Sequence, residues 1–197
     1  MSDGFIYWYR QGWGTSDARE TIEALEGAGF LLGNPGNGLI TLVTNGPDSW
    51  GEQMPVARQE LIESAGLVAA DEVNFQLWLN ADTDVFTRIR RGESRSAVLE
   101  FGLDGLTVAE REWAIGAVAR VLRGDLDHCV GFVVDRRGVT EEEDWDSVVW
   151  RRAPLTCGWP DILGVRSESV AAHIQLAQAE GYAEPPLTFF GQRFGEL

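Results

Sequence analysis

The feature that most constrains this chain is a strict two-residue alternation of apolar and polar side chains between residues 73 and 103. Val73, Phe75, Leu77 and Leu79 alternate with Asn74, Gln76, Trp78 and Asn80, the period of a strand with one face in a core. After a polar turn from Ala81 to Asp84, Val85, Thr87 and Ile89 alternate with Phe86, Arg88 and Arg90. Past Gly92 to Arg95, Ala97, Leu99, Phe101 and Leu103 alternate with Val98, Glu100 and Gly102. Three strands joined by short turns form a meander, so the sheet is antiparallel here.

The flanking segments add helices to this sheet. Thr107 and, three residues later, Glu110 make a capping box, so a helix begins at Val108. Its apolar stripe runs through Ile115, Val118 and Leu122, and Gly124 stands where a left-handed cap would end it. Cys129 to Val134, apolar at nearly every position, reads as a strand deeper in the sheet.

Upstream, Phe5 to Arg10 reads as a strand and a helix capped by Thr15 or Ser16 runs to Gly27. Phe30 to Gly33 and Leu39 to Thr44 read as a hairpin across Asn34 to Gly38, with Asn45 to Asp48 ending its second strand. Pro55 then opens a helix that ends at Gly66. Downstream, Thr140 and Glu143 predict a capping box for a short helix from Glu141 to Ser147, and Val148 to Trp150 fits strand or helix. Ala153 to Val165 reads as irregular, Ser167 to Glu180 as a helix, and Pro185-Pro186 as the start of an extended tail through Phe189, Phe190 and Phe194. The expectation is a single α+β domain over residues 1–197, with a largely antiparallel sheet covered by helices. A chain of 197 residues can bury about 70% of its unfolded surface without disulfides or metal.

Composition excludes several chemistries. All 16 cationic residues are Arg, so no lysine amine exists for a phosphate-binding loop, a pyridoxal phosphate Schiff base or a Ser-Lys hydrolase. A net charge of -15 opposes nucleic-acid binding, which draws its affinity from neutralised phosphates. Two Cys residues form no disulfide framework. The first residues carry neither a basic lead nor an apolar run of signal-peptide length, and no stretch has the length and apolarity of a membrane span. A cytoplasmic setting without membrane attachment is expected.

Few residue patterns suggest a site. Gly12-Trp13-Gly14-Thr15-Ser16 precedes a predicted helix, the context of an anion-binding loop, but Asp17 stands where a dinucleotide fingerprint wants glycine. Asp82 and Asp84 resemble a paired-carboxylate metal site and equally suit a turn. His128, Cys129, Cys157 and His173 match no zinc-ligand spacing, and Ser49 lacks the glycine frame of a hydrolase elbow. No catalytic residue, metal ligand or cofactor is therefore assigned.

The densest charge feature is Glu141-Glu142-Glu143-Asp144-Trp145-Asp146, with Trp150 and Trp159 close behind. Acid around aromatic rings suits capture of a cationic partner, and acids also suit a helix start. The sequence points to a small acidic binding protein that neutralises a basic protein such as a toxin, in the manner of an immunity protein or inhibitor. The partner-binding residues would be Glu141, Glu142, Glu143, Asp144, Trp145, Asp146, Trp150 and Trp159. One alternative is an enzyme or small-molecule binder whose site is assembled from dispersed Asp, Glu and Arg residues. Another is a nucleic-acid mimic.

Overall fold

In a computed structural model describing residues 4–46 and 49–193, the meander forms as expected. It consists of β4 (Glu72–Trp78), β5 (Asp84–Arg91) and β6 (Ser96–Gly102), paired antiparallel in that order. The remaining strands are β1 (Phe5–Gln11), β2 (Ile40–Gly46), β3 (Ser49–Val56), β7 (Cys129–Asp135), β8 (Ile162–Arg166), β9 (Gly181–Glu184) and β10 (Leu187–Gly191). Together they make one ten-stranded antiparallel sheet in the order β3-β2-β4-β5-β6-β1-β7-β8-β10-β9. The class is α+β. β1 lies at its centre, between β6 and β7.

Because alternate side chains of a strand point to opposite faces, β1 feeds two cores. Ile6 and Trp8 join a core with Phe75, Leu77, Leu99, Phe101 and Phe132. That core is closed by α1 (Thr15–Gly27), α2 (Arg58–Ala65) and α3 (Val108–Arg123). Phe5 and Tyr9 join a second core on the other face, with Val98, Val133, Leu163 and Phe190. It is covered by α4 (Trp145–Arg151) and by Leu155 and Leu176 from the chain that follows. No residue of β4 or β5 belongs to this second core among the described residues.

A buried cation fastens β1 to the helical layer. The Arg10 guanidinium donates through Nη1 to Asp17 on α1 at 2.9 Å and through Nε to Asp125 just beyond α3. Two carboxylates offset the cost of burying one charge. Trp13 lies against the same guanidinium, 5.3 Å from it.

Several local expectations differ from the structure. Pro55 does not open a helix. It lies in edge strand β3 opposite Thr41, where its missing N–H is tolerated, and α2 starts at Arg58 with Glu60 accepting from the Ala57 amide at 2.8 Å. Phe30 to Gly33 forms no hairpin with β2; Leu31 makes a single bridge to Trp78, and β2 pairs with β3 and β4.

Gly124 closes α3 in the right-handed region, although the Thr107–Glu110 capping box at its start is present. Ser167 to Glu180 is not continuous helix. α5 covers only Ser167–Val170, and a 3-10 turn follows at Leu176–Gln178. The His173 ring accepts the Gln175 and Leu176 amides at 3.3 and 3.2 Å, replacing helical carbonyls as their acceptor. The segment read as irregular contains β8. Pro47, Asp48 and Phe194 lie outside the described residues.

Gly131 sets how closely α4 approaches the sheet, since a Cβ there would meet Val149 Cγ1 at 2.5 Å. Gly131→Ala should therefore lower stability by about 1–3 kcal/mol through overpacking, read as a fall in the denaturant midpoint. A Gly138→Ala control does not test this contact, because Gly138 has a positive φ of 65° and would be strained for a different reason.

Candidate functional site

The acidic segment leaves the sheet at the end of β7 and turns before α4. The turn is held from below by Asp135, which accepts the Thr140 amide at 2.6 Å and the Thr140 hydroxyl at 2.7 Å. Burial opposes the charge of Asp135, but the bonds from Thr140 outweigh it and hold the carboxyl below its usual range. With its hydroxyl committed there, Thr140 does not cap the helix. The start of α4 moves to Trp145, and Asp144 becomes its cap, accepting from the Ser147 amide at 3.0 Å and hydroxyl at 2.6 Å. These two bonds lower the Asp144 carboxyl.

The eight residues singled out from the sequence divide into two groups. Glu141, Glu142 and Asp144 are exposed, as is Trp159 at 47%. Glu143 is 8% exposed, and its carboxylate accepts the Thr156 amide at 2.6 Å, the Thr156 hydroxyl at 3.0 Å and the Cys157 amide at 2.7 Å. Trp145 is buried in the second core and donates its indole N–H to the Thr140 carbonyl at 3.2 Å.

Asp146 accepts from Tyr9 Oη at 3.0 Å and from Arg90 Nη1 and Nη2 at 2.8 and 2.7 Å. Trp150 is half-buried, edge-on to Tyr9 at 5.7 Å. Thus Glu143, Trp145, Asp146 and Trp150 hold α4 and the 156–159 loop in place, Glu141, Glu142 and Trp159 face outward, and Asp144 does both, exposed while it caps α4. The Glu143 clamp also joins the acidic turn to the loop that carries Trp159.

Beside this turn lies a cleft of about 250 Å³, lined by Tyr7, Phe86, Arg88, Glu100, Asp104 and Glu141. Its floor follows from strand register. Tyr7 pairs with Glu100, Glu100 with Arg88, and Arg88 with Asn74, so all four side chains stand on one face. Arg88 Nε donates to Asn74 Oδ1 at 3.1 Å, and Arg90 bonds both Glu100 and Asp146. Burial works against the Arg90 charge, yet its bonds to Asp146 and Glu100 outweigh that and raise its pKa further. Burial, followed by the Glu100 charge, pushes the Tyr7 phenol up to about 12. Burial and Asp146 push Tyr9 well above its ordinary range.

These floor residues were not singled out as a site from the sequence. The available signal was opposite charges on neighbouring meander strands, Arg88 and Arg90 against Glu100, which are cross-strand neighbours once the turns are in register.

The other sequence candidates have local roles. Gly14 precedes α1, and Asp17 in its first turn pairs with Arg10. Asp82 lies in an Asn80 turn, donating its amide to Asn80 Oδ1 at 2.9 Å, while Asp84 accepts from Gln76 at 3.1 Å. His128 Nδ1 is 2.7 Å from Asp125, and His173 Nε2 is 2.8 Å from the Ala153 carbonyl oxygen. Cys129 is buried, with its thiol pushed up by burial, and Cys157 is exposed. Among the described residues no group of three or more His, Cys, Asp or Glu is arranged to hold a metal, and no helix is long and apolar enough to cross a membrane.

Comparison of the chain with protein-family models, with curated proteins and with solved structures finds no match. Its functional reading therefore rests on the residues themselves.

Two outcomes test this geometry. Glu143→Ala strands three donors and should cost about 1–3 kcal/mol, whereas the exposed Glu142→Gln should stay within about 0.5 kcal/mol; paired denaturant melts separate them. In a Tyr182→Phe background, absorbance titration should show no phenolate below about pH 11 while the protein is folded. Unfolded tyrosine ionises near pH 10, so the folded chain holds extra protons above that pH. The stabilisation is complete below pH 10 and is lost as pH rises toward the folded value of about 12 for Tyr7.

Proposed function

We propose that the protein is a cytoplasmic binding protein that neutralises a basic protein partner, of the toxin-immunity or inhibitor kind. The observation that carries this reading is the fixed presentation of exposed acid. Glu141, Glu142 and Asp144 point outward from a turn whose intervening or flanking residues, Thr140, Glu143 and Asp146, are bonded to Asp135, to the 156–157 amides and to Arg90. Carboxylates on an ordered turn bind with little ordering cost, and the net charge of -15 speeds encounter with a cation. Trp159 supplies an exposed aromatic on the loop that Glu143 ties to the same turn.

For a small-molecule or catalytic site, one candidate is a cavity of about 180 Å³ between α1 and α3 lined by Trp8, Arg10, Glu20, Thr21 and Asp125. Its Arg10 is already engaged by Asp17, Asp125 and the Gly12 carbonyl. That leaves the guanidinium little to offer a ligand, and the acidic turn is the stronger reading.

The test is capture from native lysate by the wild-type chain and by the triple variant Glu141→Gln, Glu142→Gln, Asp144→Asn. Asn retains the helix cap at position 144, and Glu143 and Asp146 are left intact because they hold the fold. A basic protein should be recovered by the wild type, should be released by salt, and should fall at least about tenfold with the variant, a loss of about 1.4 kcal/mol. Recovery of no basic protein, or equal recovery by both chains, would count against the proposal.

A further inference from the structure

The cavity between α1 and α3 is lined by two buried polar groups whose hydrogen bonding is incomplete. Arg10 is 3% exposed and Thr21 5%, one from β1 and the other from α1. A guanidinium carries five N–H donors. Those of Arg10 reach Asp125 through Nε and, at 3.4 Å, through Nη2, and reach Asp17 and the Gly12 carbonyl through Nη1. One Nη2 N–H is left without an acceptor among the described residues. The Thr21 hydroxyl makes no hydrogen bond among the described residues either, and it is not sealed from solvent, so it opens on the cavity.

A buried polar group without a partner costs free energy, and a ligand bonded to both groups would recover it. We propose that this cavity binds a small neutral ring polyol, a molecule of monosaccharide or cyclitol size. It lies on the face of the sheet opposite α4, so this site is separate from the acidic turn.

Three physical arguments select that class of ligand. The first is size. The cavity measures about 180 Å³, and a cavity of about 150 Å³ accepts benzene, so the space suits a single six-membered ring.

The second is charge. Arg10 would repel a cation placed against it, while Asp125 and Glu20 in the lining, and Asp17 behind the guanidinium, would repel an anion. A neutral solute meets neither cost.

The third is the pattern of the lining. Trp8, Ala24 and Val121 give it apolar walls. Arg10 and Thr21 offer donors, and the Glu20 and Asp125 carboxylates offer acceptors. A ring polyol matches both, with an apolar C–H face and a rim of hydroxyls that donate and accept. A purely apolar ring would leave Arg10 and Thr21 as they are.

The test is a saturation-transfer NMR titration of the full chain with myo-inositol and with D-glucose, beside benzoate and cyclohexylammonium as anionic and cationic rings of similar size. At the efficiency usual for small ligands, a polyol of about twelve non-hydrogen atoms reaches a Kd of about 2 mM. Thr21→Val keeps the side-chain shape and removes the hydroxyl. Ala24→Leu fills the cavity from an exposed helix position, where leucine is a good helix former.

At least one polyol should bind saturably, at least about fivefold more weakly to Thr21→Val and not at all to Ala24→Leu, with both variants melting near the wild type. If Thr21→Val melts early, Ala24→Leu alone decides the point. The triple variant Glu141→Gln, Glu142→Gln, Asp144→Asn should bind the polyol as the wild type does, and loss of binding there would move the ligand to the acidic turn and overturn the cavity site. Absence of saturable binding by either polyol up to about 50 mM, binding of benzoate or cyclohexylammonium in their place, or polyol binding unchanged by both cavity variants also overturns the proposal.

Discussion

The pairing of β1 with β6 on one side and β7 on the other is the constraint on which the rest of the structure depends. Residues 5–11 meet residues 96–102 and 129–135, so one early strand joins a locally built meander to the C-terminal half of the sheet. Contacts of such sequence separation are entropically costly to close, and β1 offsets this cost by burying large side chains on both faces. Ile6 and Trp8 enter one core, while Phe5 and Tyr9 enter the other. Arg10 then ties the strand end to α1 and to the end of α3 through Asp17 and Asp125.

This arrangement explains why parts of the fold could be read from the sequence and others could not. The meander and α3 depend on contacts between near neighbours, and the alternation of residues 73–103 and the Thr107–Glu110 box carry that information directly. The apolar run of β7 likewise reported a strand buried on both faces. Where a distant residue overrides a local preference, the reading fails. Thr140 looks like a helix cap until Asp135 takes its hydroxyl. His173 looks helical until its ring accepts the next amides. Pro55 looks like a helix start until an edge strand makes its missing N–H harmless.

The candidate site was legible to a similar degree. Glu141, Glu142, Asp144 and Trp159 face solvent, as an acidic run with an aromatic neighbour suggests. Glu143, Asp146, Trp145 and Trp150 look equivalent in the sequence, but the fold uses them as clamp, ion-pair partner and packing against the second face. Tyr7, Phe86, Arg88 and Glu100 carry no motif. They come together only when strand register aligns residues from three separate stretches of chain.

The Glu143 clamp separates two kinds of selection within one short acidic run. Glu142 is exposed and lies outside the second core, so its charge can drift, or change sign, at little cost to folding. Glu143 and Asp146 have no such freedom, because the loop amides and Arg90 depend on them. On the proposed binding reading, a lineage of such proteins would diverge in what it recognises through a few surface side chains while its scaffold stays unchanged.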